Sequence, residues 1–285
     1  MASAALARGH RVFGLVRPNR PHNLKSEGRL RLAEGTLENA PWDEIHGFRP
    51  DICVHAAWIS SPGIYLEAPE NRELVRQSRD FLDRAWEAGV SFSLVLGTCI
   101  EYAASGEKLN ERSSPVAPVS LYARSKNQLR ELLEAELAPK GLNLSWARVF
   151  YPYGVGEHPQ RLCSSVIAKL STGKEVLLKT PNSIKDYIYI TDLAAAILTI
   201  IEKRTAGVIN LGTGHGTSII ELAQLIASIL GRRQLVRVAA EPAPDPYPFM
   251  VADESRLKSL GWEPRVGLEQ GIAALIEQLQ AGARK

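Results

Sequence analysis

The chain has 285 residues, 45% of them hydrophobic and 23% charged, with a formal net charge of +3. That balance fits a soluble globular protein with one large α/β core, or such a core and a smaller lobe. The near-neutral charge and the lack of a long Lys/Arg run argue against nucleic acid as a partner, and no apolar run reaches the roughly 18 consecutive residues of a membrane span.

Cys53, Cys99 and Cys163 are widely spaced and form no CxxC. They predict neither a disulfide framework nor a zinc site, and no metal is expected. With no signal-peptide pattern at the start, a reducing, cytoplasmic setting is expected.

The opening ALARGHRVFGLVRP reads as the last turns of a helix, a stop at Gly9, and an apolar strand from Val12 to Val16. A helix end running into such a strand is how the second strand of a nucleotide-binding βαβ unit begins. A first strand and its glycine-rich turn, roughly 12 to 20 residues, are therefore expected ahead of residue 1.

Strand-like and helical patterns then alternate to about residue 150: RLRLAEG, DICVHAAW, a helix through Leu66 to Ala88, FSLVLG, a helix near 120–137, and LSWARVF. Alternation of this kind predicts a doubly wound parallel sheet covered on both faces. Beyond it come the loop YPYGVGEHP, a helix near 160–172, the strands EVLLK and DYIYI, and a helix from Asp192. VINLG, a helix near 218–230, the Pro-rich loop EPAPDPYP and a last helix from about 267 complete the chain. Residues 151–285 read as a smaller α+β lobe, some of whose elements return to the main sheet. In open α/β sheets, chemistry gathers in the loops at the carboxyl ends of the strands, here those after His55, Gly97 and Phe150.

Within SLYARSKNQLRE, Tyr122 and Lys126 stand one helical turn apart and share a face. A phenol beside an ammonium is a proton-transfer pair, and the ammonium is expected to lower the phenol's pKa. Upstream, LVLGTCIEYA delivers Thr98 to the carboxyl edge of the sheet, where a hydroxyl can polarise the oxygen that the phenol protonates.

The ordered set VHAAW, GTCIEY, YARSK, RVFYPYG and KDYIYITDLAAAI resembles the extended short-chain dehydrogenase/reductases, in particular the NAD-dependent epimerase/dehydratase group acting on nucleotide sugars. The resemblance runs from about residue 1 to about 280. It implies a Rossmann-type dinucleotide-binding domain over residues 1–150 and a nucleotide-sugar lobe over 151–285. It also implies catalysis by Thr98, Tyr122 and Lys126: the Tyr as acid/base, the Lys on the nicotinamide ribose, and the Thr on the substrate oxygen. Ala56, Ala57 and Trp58 would line the pyrophosphate and nicotinamide ribose, Tyr151 and Pro152 the nicotinamide, and Thr36 the adenine. Arg161 and Lys185 would face the substrate diphosphate, with His158 at the cleft rim.

Departures from the family pattern narrow the reaction. Cys99 and Ile100 stand where 4,6-dehydratases carry an Asp and a Glu, and Glu101 is one position late. The Cys and His of a 3,5-epimerising pair fall on Ile100 and Gly156, leaving Cys99 and His158 out of register. What remains is hydride transfer at one carbon: reduction of a nucleotide-linked 4-keto-6-deoxy sugar, or 4-epimerisation through a transient ketone. A non-catalytic member of the group is the third reading. Arg17, followed by Pro18, Asn19 and Arg20, stands where NAD enzymes carry an acidic residue, which favours NADP(H) over NAD(H). A homodimer through the YxxxK helix and its neighbour is the assembly the resemblance implies.

Overall fold

The computed structural model of the chain describes residues 1–19, 22, 24–141 and 143–282; Arg20 lies outside them. The first half runs α1 (Ala2–Ala7), β1 (Val12–Val16), β2 (Leu30–Glu34), α2 (Trp42–Phe48), β3 (Ile52–His55), α3 (Glu70–Glu87), β4 (Phe92–Thr98), α4 (Leu121–Leu137) and β5 (Asn143–Val149). The second half runs β6 (Tyr151–Tyr153), α5 (Leu162–Ser171), β7 (Val176–Leu178), β8 (Ile184–Tyr189), α6 (Ile190–Glu202), β9 (Gly207–Leu211), β10 (Gly216–Ser218), α7 (Ile219–Ile229), β11 (Val236–Val238), β12 (Phe249–Met250), α8 (Ser255–Ser259) and α9 (Leu268–Gly282).

The main layer is parallel and lies in two pieces, β2-β1 and β3-β4-β5-β9. Among the described residues no ladder joins β1 to β3, which is where the 3-2-1-4-5-6 strand order puts its first strand. Both pieces nevertheless share the same cores. Val12, Ile52 and Val54 pack with Phe92, Leu94 and the α6 residues Leu193, Ile197 and Ile201, while Phe13 and Cys53 pack with Trp42, Leu82, Leu129, Leu133 and Trp146 on the other face. β4 carries this two-sided burial as a run of residues with almost no polar interruption, as a strand covered by helices on both faces should.

Helix ends follow local chemistry. Gly9, with φ +90°, closes α1 and turns the chain into β1. The helix expected from Leu66 starts only at Glu70, because Pro62, Gly63 and Pro69 hold the preceding stretch in turns. Ser120 starts α4, its Oγ accepting the Ala123 amide at 3.2 Å. α7 opens with a reciprocal Ser218–Glu221 capping box.

The second half adds β10-β8-β12 with β6 on β8, and the pair β7-β11. Its own core holds Ile167, Leu170, Leu222, Ile226, Ile272 and Leu275 from α5, α7 and α9. β9 returns to the main sheet beside β5, so the two halves meet at the carboxyl edge of the parallel layer.

Candidate active site

β4 and β5 end level, with Val149 opposite Thr98, while β3 stops earlier, its last residue His55 lying opposite Val95. Thr98 is therefore the last residue of a buried strand, and α4 brings Tyr122 and Lys126 over it. Tyr122 packs with Cys99, Ile100, Phe150 and Tyr247, and its amide donates to the Leu66 carbonyl at 2.9 Å. Lys126 is 2% exposed, and its Nζ donates to the Leu96 carbonyl of β4 at 2.6 Å. The same ammonium stands 4.2 Å from the Trp58 ring centroid and 5.8 Å from that of Tyr122. Trp58 is fixed in turn by its Nε1, which donates to Asn71 at 2.8 Å.

Burial sets the electrostatics. It pulls Lys126 from its ordinary 10.5 down to about 7, with the Glu101 charge opposing the fall. The phenol corrects the sequence expectation: its pKa is raised, burial being the largest cause, with Tyr65, Glu101 and Cys99 adding to it and Arg161 opposing. The ammonium is turned toward β4 and Trp58, and it does not depress the phenol in this structure. No described residue forms a hydrogen bond with the Tyr122 hydroxyl, which leaves it free for a substrate oxygen.

The remaining expected residues divide. Ala56 and Ala57 lie exposed in the loop after β3, and Tyr151 sits half-buried on β6 with its ring 6.1 Å from that of Tyr187. Arg17 lies exposed just after β1, and Pro152 is exposed. Thr36 is an exposed turn residue whose hydroxyl accepts the Asn39 amide at 3.1 Å.

Arg161, at the start of α5, donates to the Ser60 carbonyl at 2.9 Å and lies 5.4 Å from the Tyr65 ring centroid. His158 is exposed and engaged locally, its Nδ1 accepting the Gln160 amide at 3.1 Å. Lys185 differs from an open diphosphate contact. It is 5% exposed, and its ammonium donates to Asp245 at 2.8 Å and to the Tyr247 carbonyl, so its charge is matched within the protein. That pairing also holds the Asp245 carboxyl below the usual carboxylate range, against the opposing effect of burial.

Three groups at the site are given no role by the sequence reading, which sets Glu101 aside as one position late for dehydration. Tyr65 meets Tyr122 edge to face at 5.0 Å. His55 is 3% exposed beside Phe81, and burial, reinforced by Lys126, lowers its pKa to about 3 and keeps it neutral. Glu101 is fully buried beneath Thr98. The segment PGIYL carries Tyr65 in plain view, but only the packed loop shows that it faces Tyr122 on α4. Among the described residues no cluster of His, Cys, Asp or Glu could hold a metal ion, and no helix is long and apolar enough to cross a membrane.

Residues 1–212 match the model of the NAD dependent epimerase/dehydratase family. Among curated proteins, the chain is 26% identical over 167 residues to UDP-glucuronic acid decarboxylase 1 of Danio rerio, covering 58% of this chain and 40% of that one. It is 30% identical over 179 residues to dTDP-glucose 4,6-dehydratase of Xanthomonas campestris pv. campestris (strain B100), covering 58% of this chain and 50% of that protein. The chain thus spans half or less of the length of these relatives. UDP-glucose 4-epimerase of Thermotoga maritima, solved with UDP-glucose, superposes with a TM-score of 0.85 at 22% identity, covering 99% of this chain and 94% of that one. That likeness shows a common fold. On the family match, the chain belongs to the NAD-dependent epimerase/dehydratase family.

Proposed function

We propose that the protein reduces a nucleotide-linked 4-keto-6-deoxy sugar, with NADPH as the hydride source. The observation that carries this reading is the grouping of Thr98, Tyr122 and Lys126 at the carboxyl edge of the sheet, with Cys99 and Ile100 and no carboxylate in the two positions after Thr98. Such a site can move one proton onto an oxygen but lacks the paired acid and base needed to expel water.

The residues present fit a nicotinamide cofactor at both ends. Lys126 and the open loop at Ala56 and Ala57 suit a ribose, and the free Tyr122 hydroxyl suits the reacting oxygen. Exposed Arg17 suits a 2′-phosphate. A bound reduced nicotinamide supplies the hydride for the ketone carbon. The chain's own part is to hold and protonate the oxygen: the Thr98 hydroxyl orients it, the Tyr122 phenol gives it a proton, and Lys126 would hold the nicotinamide ribose beside them. The raised phenol pKa keeps Tyr122 in the acid form that a reduction requires.

The relatives' range makes 4-epimerisation the second reading, because the same three residues suffice for a transient ketone. Incubation with NADPH and dTDP-, GDP- or CDP-4-keto-6-deoxyhexose separates the two. A reductase consumes the cofactor in proportion to sugar reduced, whereas an epimerase interconverts sugars with no external reductant. A homodimer through the outer faces of α3 and α4 completes the proposal, and sedimentation velocity measures it.

A further inference from the structure

Behind Thr98 lies a carboxylate that the proposed chemistry does not use. Glu101 ends the single 3-10 turn that follows β4 and has no exposed surface. Its Oε1 accepts the Thr98 amide at 2.8 Å, its two oxygens accept Trp146 Nε1 at 3.1 and 3.0 Å, and its Oε2 accepts Arg148 Nε at 2.8 Å. Arg148 is 1% exposed and lies 4.2 Å over the Tyr102 ring, whose hydroxyl donates to Asn210 at 2.9 Å. The seat depends on Gly97: a Cβ there would lie 2.7 Å from Glu101 Oε1 and 2.8 Å from Trp146 Cε2. A buried ion pair of this kind is weak evidence of stabilisation on its own, because desolvation offsets its attraction. Its position suggests another use. It grips the residue that carries the catalytic hydroxyl, and Lys126 is tied to Leu96 on the same strand end.

We propose that Glu101 is a positioning residue: its carboxylate holds the Thr98 turn in place, and its charge supports the Lys126 ammonium that is tied to Leu96 on the same strand. The proposal rests on the reading of Thr98, Tyr122 and Lys126 as the reacting set. Charged and titratable groups around the pair come from every neighbouring element. Arg148 on β5 pairs with Glu101, Cys99 and Tyr102 flank it, Tyr122 shares α4 with Lys126, and neutral His55 ends β3. Of these, Glu101 is the group that opposes the fall in the Lys126 pKa. Removing its charge while keeping its shape should let Lys126 lose its proton at lower pH.

The test is Glu101→Gln, read first by NMR titration of the lysine side chains labelled with ¹³C at Cε, with Lys126→Arg used to assign the signal. The Lys126 midpoint should fall by about one pH unit. Glu101→Asp, which keeps the charge, should leave the midpoint near that of the wild type. If Glu101→Gln does not fold, the double variant Glu101→Gln/Arg148→Met removes the buried pair whole and should also lower the midpoint. An unchanged Lys126 midpoint in a folded Glu101→Gln or double variant overturns the proposal and leaves Glu101 a structural residue. Turnover is read separately: with a working substrate, Glu101→Gln should lower kcat about tenfold with KM little changed. A shifted midpoint in a protein that turns over no nucleotide sugar would sustain this inference and defeat the proposed function.

Discussion

Replacing Gly97 by alanine is the sharpest structural perturbation of the site. Gly97 precedes Thr98 on β4, and the added methyl would press on the Trp146 indole and stand 2.7 Å from Glu101 Oε1. Neither neighbour can retreat, since Trp146 is fully buried and Glu101 is held by Thr98, Trp146 and Arg148. Overpacking of a tight core costs about 1–3 kcal/mol, and drawing a buried carboxylate off its donors costs about 1–3 kcal/mol more. The sum, about 2–6 kcal/mol, is a large part of the about 5–15 kcal/mol that holds a typical domain folded. Urea unfolding followed by circular dichroism measures it. Gly47 provides the control: it lies inside α2, and a Cβ there meets nothing within 4 Å. Gly47→Ala should stabilise the protein by about 0.5–1 kcal/mol through helix propensity. A Gly97→Ala midpoint indistinguishable from wild type would refute the packing described around Glu101.

Lys126 makes stability depend on pH. Its pKa is about 7 in the fold against 10.5 ordinarily, so between those values the unfolded chain binds a proton that the folded chain does not. Stability therefore rises with pH through that window, and the burial penalty is present in full below it. Relative to Lys126→Met, the wild type should gain on the order of 2 kcal/mol between about pH 7 and pH 9, and urea melts that run parallel at both pH values would contradict this. Arg17→Ala should weaken NADPH binding about tenfold while leaving NADH binding unchanged, as fluorescence titration would show; equal losses for both cofactors would remove Arg17 from 2′-phosphate selection. Asp245→Ala strands the buried Lys185 ammonium and should cost about 3 kcal/mol, most of it recovered in Asp245→Ala/Lys185→Met. A double variant no more stable than the single one would show that the pair is not what holds the Pro-rich loop.

The sequence carries the fold in its periodicity. β4 and β5 are read from FSLVLG and LSWARVF because strands buried on both faces leave unbroken apolar runs, and α4 is read from the helical pattern that sets Tyr122 and Lys126 one turn apart. Short elements escape such reading: β10 and β12 exist through pairing with β8, and their own residues carry no two-residue period long enough to detect. At the site, Thr98, Tyr122 and Lys126 are legible because the hydroxyl ends a strand and the other two share a helix face. Tyr65, Trp146 and Arg148 are not, because they reach the site from elsewhere in the fold, Tyr65 from the turns before α3 and the other two from β5. Charge pairing is the least legible feature. Lys185 reads as a free cation until β8 meets the loop carrying Asp245, and the Lys126–Tyr122 spacing suggests a lowered phenol pKa that burial reverses.

The central claim, that Tyr122 serves hydride transfer to a sugar ketone, is tested most directly with NADPH deuterated at the transferable position of C4. Mass spectrometry of the sugar formed from a nucleotide-linked 4-keto-6-deoxyhexose should find one deuterium at C4 per cofactor oxidised, and Tyr122→Phe should slow the transfer by about 10²–10⁴-fold without unfolding the protein. Product that forms without deuterium, or transfer that survives intact in Tyr122→Phe, would contradict the account.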